Sequence, residues 1–200
     1  MDEVIRVKNQ YYILSTSSLA DDRTRVLKHG DTFAVYDRRG DIEPLGRGAQ
    51  GLYHREARYL CLWVLRLGND RPLLLSSTVR DDNASTTTDL TNPDIDAEGS
   101  VIVPRGALHI SRSKFLWEAT QYEQLHIVNY SLSPVNVTFS VQFAADFADV
   151  FEIRGMKRAK RGQLLPEEVG EDQVALSYKG LDGIIRRTII HCSPKPHRVT

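Results

Sequence analysis

The sequence predicts an all-β fold: a large antiparallel β-sandwich, supersandwich-like, with little helix. In residues 135–143, Val135, Val137 and Phe139 alternate with polar neighbours, a period of two that is typical of a strand with one wet face. Turn signals also recur along the chain and separate runs that are too short for long helices. These signals are Arg39-Gly40-Asp41, Asn92-Pro93-Asp94, Ser133-Pro134 and residues 180–183.

Several further strands are predicted along the chain. Residues 59–67 are apolar on both sides, which indicates a central strand buried between layers, and Gly68-Asn69-Asp70 is expected to turn the chain into residues 72–79 to form a hairpin. Alternation in residues 108–117 places Leu108, Ile110 and Leu116 opposite Phe115 and Trp117. Residues 173–179 and 184–191 complete the set, with Val174, Leu176 and Tyr178 on one side.

Two segments of the second half are predicted to be non-regular or weakly regular. Residues 144–153 lack a clean three-to-four spacing and carry acids among aromatics, so we expect strand or irregular structure there. The basic run at residues 154–162 is expected to be an exposed loop.

Composition excludes several classes of function. Lys plus Arg equal Asp plus Glu at 26 each, so no net field favours nucleic acid or an anionic membrane surface. No apolar stretch is long enough for a membrane span, and the acidic start Met1-Asp2-Glu3 does not resemble a secretory signal, which indicates a cytoplasmic protein. Cys61 and Cys192 show neither a disulfide framework nor zinc-ligand spacing, and Cys61 is expected to be a buried small hydrophobe. We expect no cofactor.

One acidic run imitates part of a calcium loop. Asp94, Asp96 and Glu98 precede Gly99, as in the first half of an EF-hand loop, where alternate oxygens converge on the cation. The twelfth position is Arg105 instead of the closing glutamate, which removes two ligands and adds repulsion. We therefore expect no metal site and interpret the run as an exposed turn with solvated acids.

Several segments in order resemble the N-terminal domain of the bacterial glycogen-debranching-enzyme-like, or amylo-α-1,6-glucosidase, family. None of them alone is a mechanistic motif, so the resemblance depends on their order along most of the chain. The family usually shows Asp-Thr where this chain has Glu56-Ala57, whereas the flanking Arg55 and Arg58 remain. The segments that carry the resemblance are GLYHREARYL (51–60), LLLSS (73–77), RDDN (80–83), DLTNPD (89–94) and FAADFADVFEIRG (143–155).

The resemblance implies a β-sandwich, here residues 1–192, placed before an α/α-toroid glycosidase domain of the same polypeptide. Residues 193–200, which carry two prolines, would then be a linker toward that domain. The acid and base carboxylates would belong to the toroid, so we expect this chain to catalyse nothing by itself. Alternatives are a free-standing carbohydrate-binding module that binds α-glucan and a structural interaction domain without sugar contact; a face without its partner could also form a homodimer.

Three acids are candidates for contact with substrate or with the neighbouring domain. Asp146, Asp149 and Glu152 are interleaved with aromatic residues, on whose faces sugar rings stack. Glycoside hydrolysis needs two carboxyl groups at a defined separation, which sequence spacing cannot supply. The structural interpretation, which we favour, is that these acids pair with Arg154, Lys157 or Arg158 and fix the loop against a neighbouring domain.

A second candidate group precedes the buried strand of residues 59–67. His54, Arg55, Glu56 and Arg58 fall at a strand end, where side chains face a cleft or a partner, or are simple surface charge. Trp117 is expected to be exposed and is a candidate for sugar stacking. Trp63 lies inside its apolar run and is expected in the core.

Overall fold

The computed structural model describes residues 24–43, 48–97 and 99–199, and the backbone of two N-terminal strands. It is an antiparallel all-β sandwich with one short helix among the described residues. The elements are β1 (Val4–Val7), β2 (Gln10–Ile13), β3 (Arg25–His29), β4 (Thr32–Tyr36), β5 (Gly51–His54), β6 (Ala57–Leu60), β7 (Leu62–Leu67), β8 (Leu73–Val79), β9 (Ser85–Thr91), β10 (Ile95–Ala97), β11 (Ser100–Val103), β12 (Leu108–Trp117), β13 (Thr120–Asn129), β14 (Phe139–Ala144), α1 (Val150–Ile153), β15 (Gln163–Leu164), β16 (Glu168–Val169), β17 (Gln173–Lys179) and β18 (Ile185–His191).

The described strands form three four-stranded sheets and three strand pairs. One sheet has the order β3-β4-β5-β6, a second the order β13-β12-β9-β8, and in the third β17 pairs with β18 on one side and with β15 and β16 on the other. The pairs are β7 with β14, β10 with β11 and β1 with β2. No helix in the described part of the chain has the length and apolar character needed to cross a bilayer.

Two apolar clusters form the interior. The larger joins the first and third sheets through side chains such as Leu27, Leu52 and Leu176, and Val199 packs against it. The smaller lies between the second sheet and the β7–β14 pair, around Leu65 and Ile110. Both clusters follow from period-two alternation, because every second residue of each strand faces the same layer.

Most of the strands predicted from alternation are confirmed. Strand β17 has the predicted bounds, and Val174 and Leu176 of its predicted apolar side lie in the larger cluster. Strand β12 also has the predicted bounds, and residues 154–162 form an exposed loop. Trp63 packs against the larger cluster as expected.

Other expectations were wrong in ways that have physical reasons. Residues 59–67 form the end of β6 and all of β7, with a break at Cys61, whose backbone N–H donates to the carbonyl of Ala144. Cys61 is half-buried instead of fully buried. Strands β7 and β8 do not pair as a hairpin: β7 pairs with the distant β14, and the turn closes only a local bridge between Leu67 and Asp70.

The segment predicted as one strand over residues 135–143 forms a strand only from Phe139 to Ala144. Val135 and Val137 nevertheless pack against the smaller cluster, so their alternation reflects burial without ladder pairing. Residues 144–153 contain the helical turn α1, where strand or irregular structure was expected.

Candidate functional site

The candidate residues around position 55 lie on a two-residue turn between β5 and β6. Arg55 has φ of 44° and Glu56 has φ of 69°, both left-handed, as the two central residues of a type I′ hairpin turn require. Such backbone angles cost non-glycine residues on the order of 1 kcal/mol each. Both side chains are exposed, and the backbone N–H of Arg55 donates to the carbonyl of Asp31 in the neighbouring β3–β4 turn at 3.2 Å.

His54 is held at the end of β5 by contacts on two sides. Its Nδ1 atom lies 2.8 Å from the Thr32 hydroxyl on β4. The centre of its ring lies 6.1 Å from that of the Tyr59 ring, in an edge-to-face arrangement. The half-buried imidazole therefore braces the β3–β4 and β5–β6 hairpins against one another.

Arg58 is buried and forms the central ion pair of the site. Its Nε and Nη2 atoms donate to the two carboxylate oxygens of Asp146, at 3.1 and 2.5 Å, and Nη1 donates to the carbonyls of Gly48 and Gln50. Burial opposes the charged form, but the hydrogen bond and charge of Asp146 outweigh it, and the pKa of Arg58 is raised. A fork-to-fork pair of this kind fixes orientation as well as charge.

Gly51 makes room for this guanidinium. A Cβ atom at Gly51 would lie 2.5 Å from Arg58 Cδ and 3.0 Å from the carbonyl oxygen of Leu60. The glycine is therefore a packing requirement of the Arg58–Asp146 pair.

Asp149 and Glu152 form the capping box of α1. The Asp149 carboxylate accepts from the backbone N–H groups of Phe151 and Glu152 at 2.8 and 3.0 Å, and the Glu152 carboxylate accepts from the Asp149 N–H at 3.1 Å. Three-residue spacing of two acids is the signature of this motif, which is why the segment forms a helical turn. Burial raises the pKa of Asp149, but the backbone N–H donors and Arg158 together outweigh it, and the net pKa is lowered.

All three candidate acids have arginine partners. Asp149 pairs with Arg158, as the structural interpretation expected, whereas Asp146 pairs with Arg58 and Glu152 with Arg161. The basic loop after α1 is thus tied back onto the acids that precede it. Each acid also accepts a backbone hydrogen bond: Asp146 from Ala148, Asp149 from Phe151 and Glu152 from Asp149.

Backbone hydrogen bonds join α1 to the β5–β6 turn. The N–H of Val150 donates to the carbonyl of Glu56 at 3.0 Å, and the N–H of Arg58 donates to the carbonyl of Ala148 at 2.8 Å. We use the name hairpin rim for this continuous assembly. It comprises the β3–β4 turn, residues 54–58 around the β5–β6 turn, and residues 146–162, which contain α1 and the basic loop that follows it.

Trp117 lies beside the hairpin rim and not on it. It is the last residue of β12, its side chain is 53% exposed, and its ring lies 4.5 Å from the ring of His29 at the end of β3. The structure therefore brings seven of the eight candidate residues into the rim and places Trp117 next to it.

An open groove lies at the rim. It has a volume of about 530 Å³, and two carboxyl groups, Asp31 and Glu56, line it. Both side chains are exposed, and Asp31 lies 3.9 Å from Arg55.

The interior contains a buried charge layer that sequence reasoning missed: the buried Asp41, Arg112 and Lys114 with the half-buried Arg71 and Glu123. Arg112 bridges Asp41 and Glu123 through hydrogen bonds of 2.5 and 2.6 Å. Arg71 contacts Asp41 from the other side. The layer separates the two apolar clusters along β12, whose inward residues run Leu108, Ile110, Arg112, Lys114, Leu116. The sequence does contain a signal for this layer, because Arg112 and Lys114 occupy the same alternate positions of β12 as the inward apolar residues.

Lys114 is the least satisfied member of this layer. Its Nζ lies 2.9 Å from a Glu123 oxygen, but the angles fall outside those of a hydrogen bond. Nζ also lies 4.6 Å from the centre of the Tyr36 ring and 5.9 Å from that of Trp63. Burial, reinforced by the charge of Arg112, lowers the pKa of Lys114 to about 8.

The run that imitates a calcium loop is not the turn that was expected, because residues 95–97 form strand β10 and pair with β11, while Asp94 pairs with Arg105. The Asp94 carboxylate accepts from the backbone N–H of Arg105 at 2.7 Å and pairs with its side chain at 3.4 Å. Glu98 lies outside the described residues. Across the described ranges no cluster of three His, Cys, Asp or Glu side chains has the arrangement of a metal site.

The fold and the rim define an antiparallel β-sandwich domain, one edge of which carries acidic side chains paired with arginines. Comparison with protein families matches residues 27–200 to the N-terminal domain of (some) glycogen debranching enzymes. The chain therefore belongs to that family of domains. A search of curated proteins found no match.

Proposed function

We propose that this chain is the non-catalytic N-terminal domain of a glycogen-debranching glycosidase, and that it packs on the glycosidase domain of the same polypeptide. The observation that carries the proposal is the family match over residues 27–200. In this proposal the hairpin rim forms one edge of the α-glucan cleft, and residues 193–200 lead toward the glycosidase domain. Both cysteines are free, which is in keeping with a reducing cytoplasm.

The chemistry of the rim supports a positioning role. Its acids are held by arginines and by a helix cap, so the rim presents a rigid surface in place of titratable catalytic groups. Arg55 and Glu56 project from a strained turn, and strain of this kind persists where the surrounding structure holds it for a purpose. They are the residues best placed to contact a neighbouring domain or a glucan hydroxyl.

Exposed aliphatic residues at the last strand support a docking face. Ile185 and Ile189 are 55% and 61% exposed. They are four residues apart on β18 and therefore lie on the same side of the strand. Ile184 precedes them and is 57% exposed. Large aliphatic side chains in this arrangement are typical of a surface that a partner covers.

The test is co-elution of the separately produced chain and glycosidase domain in size-exclusion chromatography. We expect a one-to-one complex, and we expect Ile189→Glu to abolish it. Ile102→Glu is the matched control, because Ile102 is also 55% exposed but lies on the β10–β11 hairpin. Failure of the wild-type chain to co-elute, or equal loss with both variants, would overturn the proposal.

A further inference from the structure

The β12–β13 hairpin carries its charged residues on the side that faces the interior. The three charged residues of these two strands, Arg112, Lys114 and Glu123, all point into the interior. Outward positions carry only neutral polar, histidine, aromatic and valine side chains. These are His109, Ser111, Ser113, Phe115, Trp117, Thr120, Tyr122, Gln124, His126 and Val128, and we call them the aromatic face.

The outward side of this hairpin is open to a ligand. Strand β13 is an edge strand of ten residues, and edge strands are protected by outward lysine, by proline or by charge that points inward. Here Glu123 supplies the inward charge, and the outward positions of both strands contain no Lys, Arg, Asp or Glu. The aromatic face is thus suited to a neutral ligand.

Three exposed rings lie together at one end of the face. Phe115 and Tyr122 are cross-strand partners whose rings stack at 4.6 Å with an angle of 8°, and they are 46% and 45% exposed. Trp117 follows on the same side of β12, two residues from Phe115 and therefore about 7 Å further along the strand. The rings are bordered by hydroxyl and amide groups of Ser113, Thr120 and Gln124.

The composition distinguishes a sugar from a protein partner. Aromatic faces bordered by uncharged hydrogen-bonding groups match a pyranose, whose C–H face is apolar and whose rim consists of hydroxyls. Most of the exposed large aliphatic side chains, which favour a protein partner, lie on other strands and loops, β18 among them. On this side of the sheet Asp89 of β9 pairs with His109 at 3.2 Å, toward the opposite end of β12 from Phe115 and Trp117. The positions next to the three rings are uncharged, which is complementary to an uncharged polysaccharide.

We propose that the aromatic face binds a glucan chain, with Trp117, Phe115 and Tyr122 as stacking residues and Ser113, Thr120 and Gln124 as hydrogen-bonding residues. The choice of an α-linked glucan rests on the proposed function; the site itself does not. Binding here would hold a branched polymer on the domain while its ends are processed.

The test is native affinity electrophoresis of the 200-residue chain in gels that contain glycogen. We expect glycogen to retard the wild-type chain, and Trp117→Ala and Tyr122→Ala each to weaken the apparent affinity about tenfold, as loss of one stacking contact implies. Ile102→Ala and Leu181→Ala are the controls, because these side chains are 55% and 70% exposed but lie outside both the aromatic face and the hairpin rim. The controls should be retarded like the wild type.

Two further readouts isolate the chemistry. The chain has two tryptophans, and Trp63 is hydrogen-bonded to Glu123 at 2.6 Å, so maltoheptaose should protect Trp117 alone from acrylamide quenching, an effect absent in Trp117→Phe. Binding should also withstand 0.5 M NaCl, because no ion pair contributes to it.

Three results would overturn the proposal: no retardation of the wild-type chain, equal retardation of Trp117→Ala, or retardation that high salt abolishes, which would point to the basic loop at residues 154–162. A change from dimer to monomer in Trp117→Ala without glucan dependence would instead assign the face to self-association. Glycogen retardation is measured without the glycosidase domain, so its failure is distinguishable from failure of the co-elution that tests the proposed function.

Discussion

The ammonium group of Lys114 lies 4.6 Å from the centre of the Tyr36 ring, at the boundary between the two apolar clusters of the sandwich. Burial raises the pKa of the Tyr36 hydroxyl and lowers that of Lys114 to about 8. The side chain of Lys114 is therefore protonated near neutral pH and loses its proton in mild alkali. Replacing both members of a buried ion pair with apolar residues is often neutral or stabilising in proteins, whereas replacing only one member is destabilising.

The alkaline dependence of stability follows from Lys114. Its folded-state pKa is about 8, below the unfolded value of about 10.4, so between these values the unfolded chain binds the extra proton and the free energy of unfolding rises with pH. We expect the wild type to gain about 1 to 3 kcal/mol relative to Lys114→Met between pH 7.5 and 10. Urea unfolding of both proteins across this range measures it. Lys28→Met is the exposed control, and a difference that does not change with pH would contradict the prediction.

The acid dependence of stability follows from Glu123. Burial disfavours its ionised form, but Lys114 and Arg112 outweigh burial and lower the pKa to about 2. Stability from this group is present above the unfolded value of about 4.3 and is lost as pH falls toward 2. We expect Glu123→Gln to lose about 3 to 5 kcal/mol at pH 7, because it leaves the buried Lys114 without its carboxylate partner and Arg112 with Asp41 alone, and to show a weaker acid dependence than the wild type. Glu118→Gln, in the exposed β12–β13 turn, should do neither.

Gly51 is predicted to be intolerant of alanine. The added Cβ would meet Arg58 Cδ and displace the guanidinium from Asp146, so we expect a loss of about 1 to 3 kcal/mol in the free energy of unfolding. Gly170→Ala is the matched control, because its closest neighbour is the flexible side chain of Gln173 at 3.2 Å. Equal melting temperatures for the two variants would show that Arg58 relaxes without cost.

We predict that Arg55 and Glu56 in the β5–β6 turn lower the stability of the chain but contribute to contact with the glycosidase domain. Replacing Arg55-Glu56 with Asn-Gly, the preferred residues of a type I′ turn, should raise the free energy of unfolding by about 1 kcal/mol, because both positions have positive φ. If the rim contacts the glycosidase domain, the same double variant should co-elute with it less well. Thermal unfolding and co-elution test the two effects, and an unchanged or lower stability would contradict the first.

The strand pattern could be predicted where alternation and local turns determine structure. Strand β17 alternates cleanly, and its outline and apolar face were both predicted correctly. Pairing between distant strands could not be predicted: the partner of β7 is β14, more than seventy residues later, and a turn sequence at Gly68 favoured the local partner β8 instead. The helical turn at α1 was missed because its signal is the Asp149–Glu152 capping spacing and not hydrophobic periodicity.

The candidate site shows the same division. Proximity of His54, Arg55 and Glu56 follows from their adjacency in sequence, but their contact with residues 146–152 depends on how β6 and the segment after β14 meet. The buried charge layer was missed because charged residues are normally placed outside, although Arg112 and Lys114 occupy inward positions by parity.

The most direct test of the account is hydrolysis of an α-1,6-branched limit dextrin by the glycosidase domain with and without this chain. We expect that the chain alone releases no glucose and that adding it to the glycosidase domain restores activity and the retention of branched substrate. Glucose release by the purified chain alone, or a glycosidase domain whose rate does not respond to the chain, would contradict it.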